Sequence, residues 1–405
     1  MNSSYFIELE DKYGAHNYHP LPVVISKAKG CEMWDVEGKK YYDFLSGYSA
    51  VNQGHCHPKI LEALINQVSN LTLTSRAFYN DKLGEYEKHI TTLLGFDKML
   101  PMNTGAEAVE TGIKLARRWA YTKKGIPENN AKIVVCSENF HGRTSTIVSF
   151  STDPSAYNKF GPFMPGFEVI PFNDLDALKE KLKDNNVAAF LFEPIQGEAG
   201  IIMPENGYLK EVKAMCTTSN VLMIADEIQT GLCRTGKMMA CDHEGVKPDM
   251  LLLGKALSGG TMPISAVLAN DEVMLTIKPG EHGSTFGGNP LASVVAMASL
   301  NVLVEEHMAE NAKKMGEIFR NKLKSIHTRF IKEVRGKGLM NAIEIEHANP
   351  IAAWSLCETF MQNGLLAKPT HGDKIRLTPP LVINEIQINE AVEIIKESLP
   401  VLESI

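Results

Sequence analysis

The middle of the chain alternates short, strongly apolar runs with amphipathic stretches of helical periodicity. The runs cover residues 132–136, 188–193, 221–226, 250–253 and 264–269, and helical patterns cover 175–182 and 209–216. A run that is apolar throughout predicts a strand buried on both faces, and helices between such runs predict parallel strands. The sequence therefore predicts an α/β fold whose mostly parallel sheet is covered on both faces by helices.

The two ends of the chain differ from this middle. Residues 31–44 predict a hairpin around Val36-Glu37-Gly38, helices dominate from about residue 300, and strand candidates lie at 341–345 and 374–377. We expect a large domain over 46–299 and a smaller α+β domain built from 1–45 and 300–405. In such folds, polar side chains that follow the carboxyl ends of parallel strands are the first candidates for chemistry.

The charge balance narrows the class of protein. The 405 residues carry 41 Lys and Arg against 48 Asp and Glu, a net charge of −7, which disfavours a nucleic-acid or anionic membrane surface. Seven scattered cysteines do not predict a disulfide framework. The first residues lack the pattern of a signal peptide, and the first arginine is Arg76, which disfavours an Arg-rich transit peptide. We expect a cytoplasmic protein that acts on small molecules, with no nucleic-acid or membrane partner.

A helix start at residues 103–110 is the first candidate site. Thr104 and Glu107 form the pattern of a capping box, and Val109 and Ile113 continue with helical spacing. Backbone N–H groups and the positive end of the helix dipole at such a start suit a phosphate. A plain helix start with no ligand is the alternative.

Two apolar runs each end beside a residue that can do chemistry. Asp226 ends one run, and Lys255 follows another, shortly before the turn Ser258-Gly259-Gly260. A buried aspartate can hold a heteroaromatic nitrogen in its protonated form, and a desolvated lysine has the lowered pKa that Schiff-base chemistry needs. The alternatives are an aspartate that caps the next helix and a lysine exposed to solvent.

Three other patterns do not support a ligand site. Residues 231–238 nearly match a phosphate-binding P-loop, but Met238 stands where a Ser or Thr would hold Mg²⁺. Gly336-Lys337-Gly338 lacks the third glycine of a dinucleotide motif, because Asn341 occupies that position. His55-Cys56-His57 has no second pair at metal-ligand spacing, so no metal is expected.

The helix start, the aspartate and the lysine, in this order, resemble the pyridoxal-phosphate enzymes of the aspartate aminotransferase fold. Further stretches resemble the class-III aminotransferases, namely YGAHNYHP (13–20), AVNQGH (50–55), EPIQGE (193–198), ADEIQTG (225–231), GEHGST (280–285) and HGDKIRLTPP (371–380). The resemblance runs nearly from end to end. It implies an aspartate-aminotransferase-like fold (PLP fold type I) and the cofactor pyridoxal 5'-phosphate.

The resemblance also implies roles for individual residues around the cofactor. Lys255 resembles the lysine that bonds the cofactor and then moves protons, and Asp226 resembles the partner of its pyridine nitrogen. Gln229 resembles the partner of the ring hydroxyl, and Phe140 resembles the aromatic plate over the ring. Lys255 and Asp226 would be the catalytic residues, and all four residues would bind the cofactor.

The phosphate end of the cofactor has its own expected partners. Gly105 and Ala106 match the phosphate cradle, and Thr285 matches a ligand that the family supplies from the neighbouring subunit, which implies a homodimer with a shared active site. Three positions depart from frequent family residues: His141 stands where animal members have Trp, Phe286 where Tyr is frequent, and Ala106 where Val is. None of these departures removes a charge or a nucleophile.

On the substrate side, the resemblance covers Tyr18, Tyr48, Arg143, Glu198 and Arg376. The implied reaction moves the δ-amino group of L-ornithine to 2-oxoglutarate, giving glutamate and glutamate 5-semialdehyde. Arg143 and Tyr18 would hold the far end of ornithine, and Arg376 the α-carboxylate of glutamate, with Glu198 neutralising Arg376 while ornithine reacts. The alternatives are acetylornithine or another ω-amino acid as the donor, which Tyr18 and Tyr48 disfavour, and a non-catalytic protein on this fold.

Overall fold

The computed structural model describes residues 2–405. In chain order the strands are β1 (Ile25–Lys29), β2 (Glu32–Asp35), β3 (Lys40–Asp43), β4 (Lys98–Met102), β5 (Lys132–Cys136), β6 (Phe167–Ile170), β7 (Val187–Phe192), β8 (Leu222–Asp226), β9 (Met250–Leu253), β10 (Ser265–Ala269), β11 (Ile331–Lys337), β12 (Met340–Ile345), β13 (Leu365–Leu366), β14 (Lys368–Thr370) and β15 (Lys374–Leu377).

The helices are α1 (Ser3–Tyr13), α2 (Ser46–Ser49), α3 (Pro58–Val68), α4 (Leu83–Leu94), α5 (Gly105–Trp119), α6 (Ser145–Val148), α7 (Pro154–Tyr157), α8 (Leu175–Lys181), α9 (Tyr208–Thr218), α10 (Asp271–Met274), α11 (Pro290–Glu305), α12 (Met308–Lys324), α13 (Ala352–Gln362) and α14 (Glu385–Ser398). A π-helical turn at Ala120–Lys124 continues α5, and 3₁₀ turns lie at Ala240–His243, Lys255–Ser258 and Leu399–Glu403.

A seven-stranded sheet forms the centre, in the order β4-β10-β9-β8-β7-β5-β6. The strands from β5 to β9 pair in parallel, which confirms the predicted mostly parallel sheet. The run at 264–269 differs, because β10 pairs antiparallel with both β9 and β4. The segment between β9 and β10 holds a single 3₁₀ turn followed by a turn at Gly259 and Gly260, and this is too short for the crossover that a parallel strand needs.

Helices cover both faces of this sheet. Along β5, Ile133 and Val135 pack into one apolar cluster, whereas Val134 and Cys136 pack into a second cluster on the opposite face. α5 contributes to the first cluster and α11 to the second. Because successive strand residues point to opposite faces, this alternation shows that the sheet is buried on both sides, as its continuous apolar runs predicted.

Two four-stranded sheets, β1-β2-β3-β13 and β11-β12-β15-β14, lie outside the central sheet. The predicted hairpin at 31–44 is confirmed by the antiparallel pairing of β2 and β3. β13 joins β3 in parallel, with Leu365 opposite Tyr42, so segments from both chain ends meet in one sheet. The domain limits at residues 46 and 299 stay a prediction.

Within residues 2–405, no single helix is long and apolar enough to cross a membrane. α11 and α12 reach the required length and composition together, but a bend of 59° separates them. Much of α11 is buried in the second apolar cluster, including Val295, Leu300 and Leu303.

Candidate active site

Polar side chains converge at the carboxyl edge of the central sheet. Asp226 is the last residue of β8, and Lys255 follows β9 after one glycine. Phe140 and Arg143 lie in the loop after β5, and Glu198 lies in the loop after β7. The parallel strands therefore bring residues from distant parts of the sequence to one edge.

The start of α5 lies directly after β4, the edge strand of the same sheet. Thr104 Oγ1 accepts a hydrogen bond from the Glu107 amide at 3.2 Å, and the Glu107 carboxylate accepts from the Thr104 amide at 3.0 Å, so the predicted capping box is confirmed. The amides of Gly105 and Ala106 take no part in this box. A Cβ on Gly142 would lie 3.2 Å from that of Ala106, so glycine keeps space open beside a helix end that favours an anion.

Lys255 occupies a strained and partly buried position. Its backbone φ is +45°, a conformation that costs a non-glycine residue about 1–3 kcal/mol. The Ser258 hydroxyl donates to its carbonyl at 2.8 Å, and the Gln53 amide donates to the Ala256 carbonyl at 2.9 Å, which holds the turn. Burial lowers the pKa of the Lys255 amine to about 8, although Glu198 acts in the opposite direction. Part of the amine is therefore neutral near neutral pH, as a nucleophile must be.

Asp226 is buried against a second titratable side chain. Its Oδ2 lies 2.6 Å from His141 Nδ1, and its Oδ1 accepts from the Ile228 amide at 3.1 Å. Burial alone would lower the pKa of the His141 imidazole, but the hydrogen bond to Asp226 and the negative charges of Asp226 and Glu193 together outweigh burial and raise that pKa.

Glu193 is a buried carboxyl group beside this pair. It directly follows β7, and its two oxygens accept from the amides of Phe140 at 3.0 Å and Gly197 at 3.3 Å. Burial raises the pKa of Glu193 to about 7, and His141 acts against that increase. One side chain thus ties the loop after β5 to the loop after β7.

Arg376 and Glu198 form an ion pair at the side of the site. Arg376 Nη1 lies 2.5 Å from Glu198 Oε1, and the Gln229 amide donates to the same oxygen at 3.3 Å. Burial opposes ionisation of Glu198, but Arg376 and Lys255 outweigh it and hold the pKa of that carboxyl below its ordinary value. Arg376 Nε is buried without a hydrogen-bond partner among residues 2–405, which leaves a donor for a ligand.

Tyr48 packs against Arg376, and Tyr18 lies near Tyr48. The Arg376 guanidinium lies 4.8 Å from the centre of the Tyr48 ring, an arrangement that attracts a cation to the ring face. Burial raises the pKa of the Tyr48 phenol, Arg376 acts against the increase, and Glu198 and Tyr18 add to it. Tyr18 itself is 73% exposed. The structure therefore brings Tyr48 and Glu198 into contact with Arg376, and it places Tyr18 near Tyr48.

Arg143 lies at the mouth of the site. Its guanidinium is 5.7 Å from the centre of the Phe140 ring. A cavity of about 510 Å³ opens here, lined by both residues, by Glu198 and by the β14–β15 turn with Thr370 and His371. The cavity leads from solvent to Glu198, one member of the ion pair.

Thr285 is placed apart from the other predicted residues. It is exposed in the segment before α11, and within residues 2–405 no hydrogen bond joins it to another predicted site residue. The segment packs along α5, because Ser284 accepts from Asn103 at 2.6 Å and His282 contacts Thr111 at 2.8 Å. Phe286, next to Thr285, is 57% exposed.

The patterns that did not support a ligand site have structural roles. Arg234, inside the P-loop-like stretch, is fully buried and donates to the Asn52 side chain at 2.6 Å and to the Pro379 carbonyl at 2.6 Å. His55 pairs with Asp43 at 2.7 Å and His57 with Glu306 at 3.2 Å. In the part of the chain that the structure describes, no group of three or more His, Cys, Asp or Glu residues could hold a metal ion.

The family description "Aminotransferase class-III" matches residues 13–399. The chain belongs to the class-III aminotransferases. It is 63% identical over 398 residues to a rat protein named "Ornithine aminotransferase, mitochondrial", covering 98% of this chain and 91% of that protein. This confirms the resemblance that the sequence motifs indicated.

Solved structures support the same fold assignment. The ornithine aminotransferase of Toxoplasma gondii superposes with a TM-score of 0.98 at 49% identity, covering 100% of this chain and 96% of that chain. A structure named as acetylornithine aminotransferase, from Elizabethkingia anophelis, is 62% identical with a TM-score of 0.92 and covers 98% of this chain and 99% of that chain. The expected PLP fold type I is therefore confirmed.

Family membership also confirms the expected cofactor, pyridoxal 5'-phosphate. The residues present fit this group. A strained lysine with a lowered amine pKa stands beside a buried aspartate at a strand end, and Gly142 keeps space open beside the free amides of the α5 start. An aldehyde, a pyridine nitrogen and a phosphate each meet suitable chemistry here.

The expected cytoplasmic location is wrong. The rat relative is named as mitochondrial, and so are others from animals and a plant. The expectation relied on the composition of the first residues, and those residues do not decide the compartment of the protein.

Three residues of the site were not predicted from the sequence. Glu193 could have been found, because it ends one of the buried apolar runs, as Asp226 ends another. Ile228 lies 3.2 Å from a Cβ placed on Gly105 and 3.3 Å from one on Gly254, so it fills the gap between the α5 start and the Lys255 turn. Thr370 carries no local signal, because its role depends on a contact with a distant loop.

Proposed function

We propose that this class-III aminotransferase moves the δ-amino group of L-ornithine to 2-oxoglutarate, giving glutamate and glutamate 5-semialdehyde, which cyclises to pyrroline-5-carboxylate. The observation that carries this proposal is the ion pair between Arg376 and Glu198. An enzyme with this activity must accept two unlike substrates in one pocket. A cation whose charge is neutralised for one substrate and available to the other meets that demand. The names of the rat and T. gondii relatives support the choice of ornithine.

Pyridoxal 5'-phosphate, when bound, withdraws electrons from the substrate carbon that loses a proton. We assign Asp226, with His141 behind it, to hold the proton on the ring nitrogen. Lys255 would hold the cofactor through its amine, and its Nζ would take and return the proton. Gln229 would bind the ring hydroxyl, and Phe140 would cover one face of the ring.

The two substrates place different demands on the residues further out. Ornithine presents its far amine for reaction, so its α-carboxylate needs a remote cation and its α-ammonium a remote acceptor. We assign these roles to Arg143 and to the phenol oxygen of Tyr18. Glutamate presents its α-amine instead, so its α-carboxylate needs a cation close to Lys255, and Arg376 supplies it when Glu198 moves away.

We further propose a homodimer in which Thr285 reaches the phosphate site of the partner subunit, next to Gly105 and Ala106. The exposure of Thr285 and of the neighbouring Phe286 supports this assignment, because an aromatic side chain that is 57% exposed is costly to leave in water. The cofactor phosphate would then have partners from two chains.

Acetylornithine is the second candidate amino donor, favoured by the name of the E. anophelis structure at 62% identity. The two donors differ at the α-amine, which is a charged ammonium in ornithine and a neutral amide in acetylornithine. A phenol oxygen at Tyr18 can accept from an ammonium, whereas an acetyl group needs additional room there. We therefore rank ornithine first.

The experiment is a panel of amino donors with 2-oxoglutarate, in which pyrroline-5-carboxylate is trapped as a coloured adduct. Tyr18→Phe removes a hydrogen bond to a charged group, worth roughly 1.5–3 kcal/mol, and we expect kcat/KM for ornithine to fall about tenfold to a hundredfold. The glutamate half-reaction should scarcely change. Tyr13→Phe is a matched control, because Tyr13 is 75% exposed on α1. Wild-type preference for acetylornithine would overturn the ornithine assignment.

A further inference from the structure

The loop that carries Glu198 is held at several points. Gln196 and Ile202 pair with each other through both amides, at 3.1 and 3.0 Å, which closes the loop. Arg335 donates to two carbonyls beyond Glu198, at 2.8 and 3.2 Å. The Thr370 hydroxyl donates to the carbonyl of Glu198 itself, at 2.7 Å. The backbone from which the Glu198 side chain extends is therefore fixed directly by Thr370.

Thr370 and Arg376 belong to the same hairpin. β14 and β15 pair antiparallel, with Thr370 opposite Lys374 and Lys368 opposite Arg376. β15 also pairs with β12, which anchors the hairpin in its sheet. One rigid element thus contacts Glu198 twice, at its carbonyl through Thr370 and at its carboxylate through Arg376.

We propose that Thr370 is a positioning residue for the ion pair between Glu198 and Arg376. With the Glu198 backbone held, the carboxylate leaves Arg376 and returns to it by rotation of the side chain alone. Without that hydrogen bond, the loop gains freedom, the pair forms less often, and Arg376 is more often available to an α-carboxylate. The inference rests on the proposed two-substrate function and extends it to a residue outside the ion pair.

The test uses the holoenzyme and measures both half-reactions in single turnovers. Thr370→Val keeps the size of the side chain and removes the donor. We expect kcat/KM for ornithine to fall about threefold to tenfold, the range for one neutral hydrogen bond, while the value for glutamate stays unchanged or rises. Thr370→Ser restores the hydroxyl and should restore the wild-type ratio of the two values.

Thr359→Val is the matched control. Thr359 is also a partly buried threonine that donates to a backbone carbonyl, that of Ser355 at 3.0 Å, but it lies within α13. Its loss should leave the ratio of ornithine to glutamate unchanged. If Thr370→Val does not fold, Thr370→Ala provides the same comparison. Thermal unfolding of each holoenzyme separates general destabilisation, which would lower both values together, from the predicted change in ratio.

Glu198→Ala distinguishes this inference from the proposed function. If Glu198→Ala shifts the ratio towards glutamate and Thr370→Val does not, the role of Thr370 is wrong and the two-substrate proposal stands. If Glu198→Ala also leaves the ratio unchanged, both are wrong. Equal losses for the two substrates in Thr370→Val, or no recovery in Thr370→Ser, likewise overturn the positioning role.

Discussion

Lys255 combines backbone strain with a lowered amine pKa, and both follow from the short turn between β9 and β10. The turn forces a φ of +45° and places the amine among buried groups rather than in water. Strain of this kind persists where surrounding contacts hold it, here from Ser258 and Gln53. The position is suited to reaction at the cost of local stability.

Capture of pyridoxal 5'-phosphate by the cofactor-free protein should speed up as pH rises through about 8 and then level off. The amine must be neutral to attack an aldehyde, and burial lowers its pKa to about 8. Growth of visible absorbance after rapid mixing measures the rate. A midpoint of this rate near pH 10.5, the ordinary pKa of lysine, would contradict the lowered pKa of Lys255.

Lys255→Ala should lose turnover by several orders of magnitude.

The pair formed by His141 and Asp226 should stabilise the protein in a pH-dependent way. The pKa of His141 is raised above its ordinary value of 6.5, so the folded state binds this proton more tightly than the unfolded state. The contribution is full below about pH 6.5 and is lost as pH rises through the raised pKa.

His141→Phe should therefore lower the free energy of unfolding more at about pH 6 than at about pH 9, measured by urea unfolding of the cofactor-free protein. His327→Phe, at an exposed position, serves as the control. The same loss at both pH values would show that His141 contributes through packing alone.

Sequence patterns made Lys255 and Asp226 candidates because each stands at or just after the end of a buried apolar run. They did not identify His141 as the partner of Asp226, because the two residues are 85 positions apart and meet only when β5 and β8 lie in one sheet. The assigned roles of the substrate-side residues depended on family resemblance, and they stay predictions.

At the scale of elements, the central strands were predictable and the edge strands were not. β7, β8 and β9 are buried throughout, so their sequences are continuous apolar runs. β4 and β6 form the two edges of the sheet and carry polar or proline residues. Pro101 in β4 lacks an amide hydrogen, which an edge strand tolerates and a central strand does not. The apolar patterns of β4 and β6 are therefore weak because each edge strand pairs with a neighbouring strand on one side only.

The capping box of α5 should contribute to both stability and cofactor retention. Thr104→Ala removes the acceptor for the Glu107 amide, and we expect a loss of about 1 kcal/mol in the free energy of unfolding. Asp174→Ala removes the cap of α8, which accepts from Ala177 at 2.8 Å, and should cost a similar amount. Equilibrium dialysis should show weaker cofactor binding for Thr104→Ala alone. Equal cofactor affinity in both variants would reduce the α5 start to a structural element.

At the scale of the whole molecule, Thr285 is exposed in the single chain, and within residues 2–405 no hydrogen bond joins it to another predicted site residue. If it completes the partner subunit's site, Thr285→Ala should weaken cofactor retention while the reaction of the bound cofactor with substrate is preserved. Thr217→Ala, on the exposed face of α9, is the control. A monomer in sedimentation that is saturated with cofactor and fully active would contradict the shared site.

The pairing of β3 with β13 has a consequence for how the protein is made. Tyr42 and Leu365 are 365 − 42 = 323 positions apart, so β3 leaves the ribosome long before its neighbour is synthesised. Until then the nascent chain exposes the hydrogen-bonding edge of β3 to other chains. Arg376 is synthesised later still, so a chain interrupted before residue 365 lacks both the closing strand and the arginine that we propose binds substrate. Completion of this sheet and completion of the pocket therefore occur together, at the end of translation.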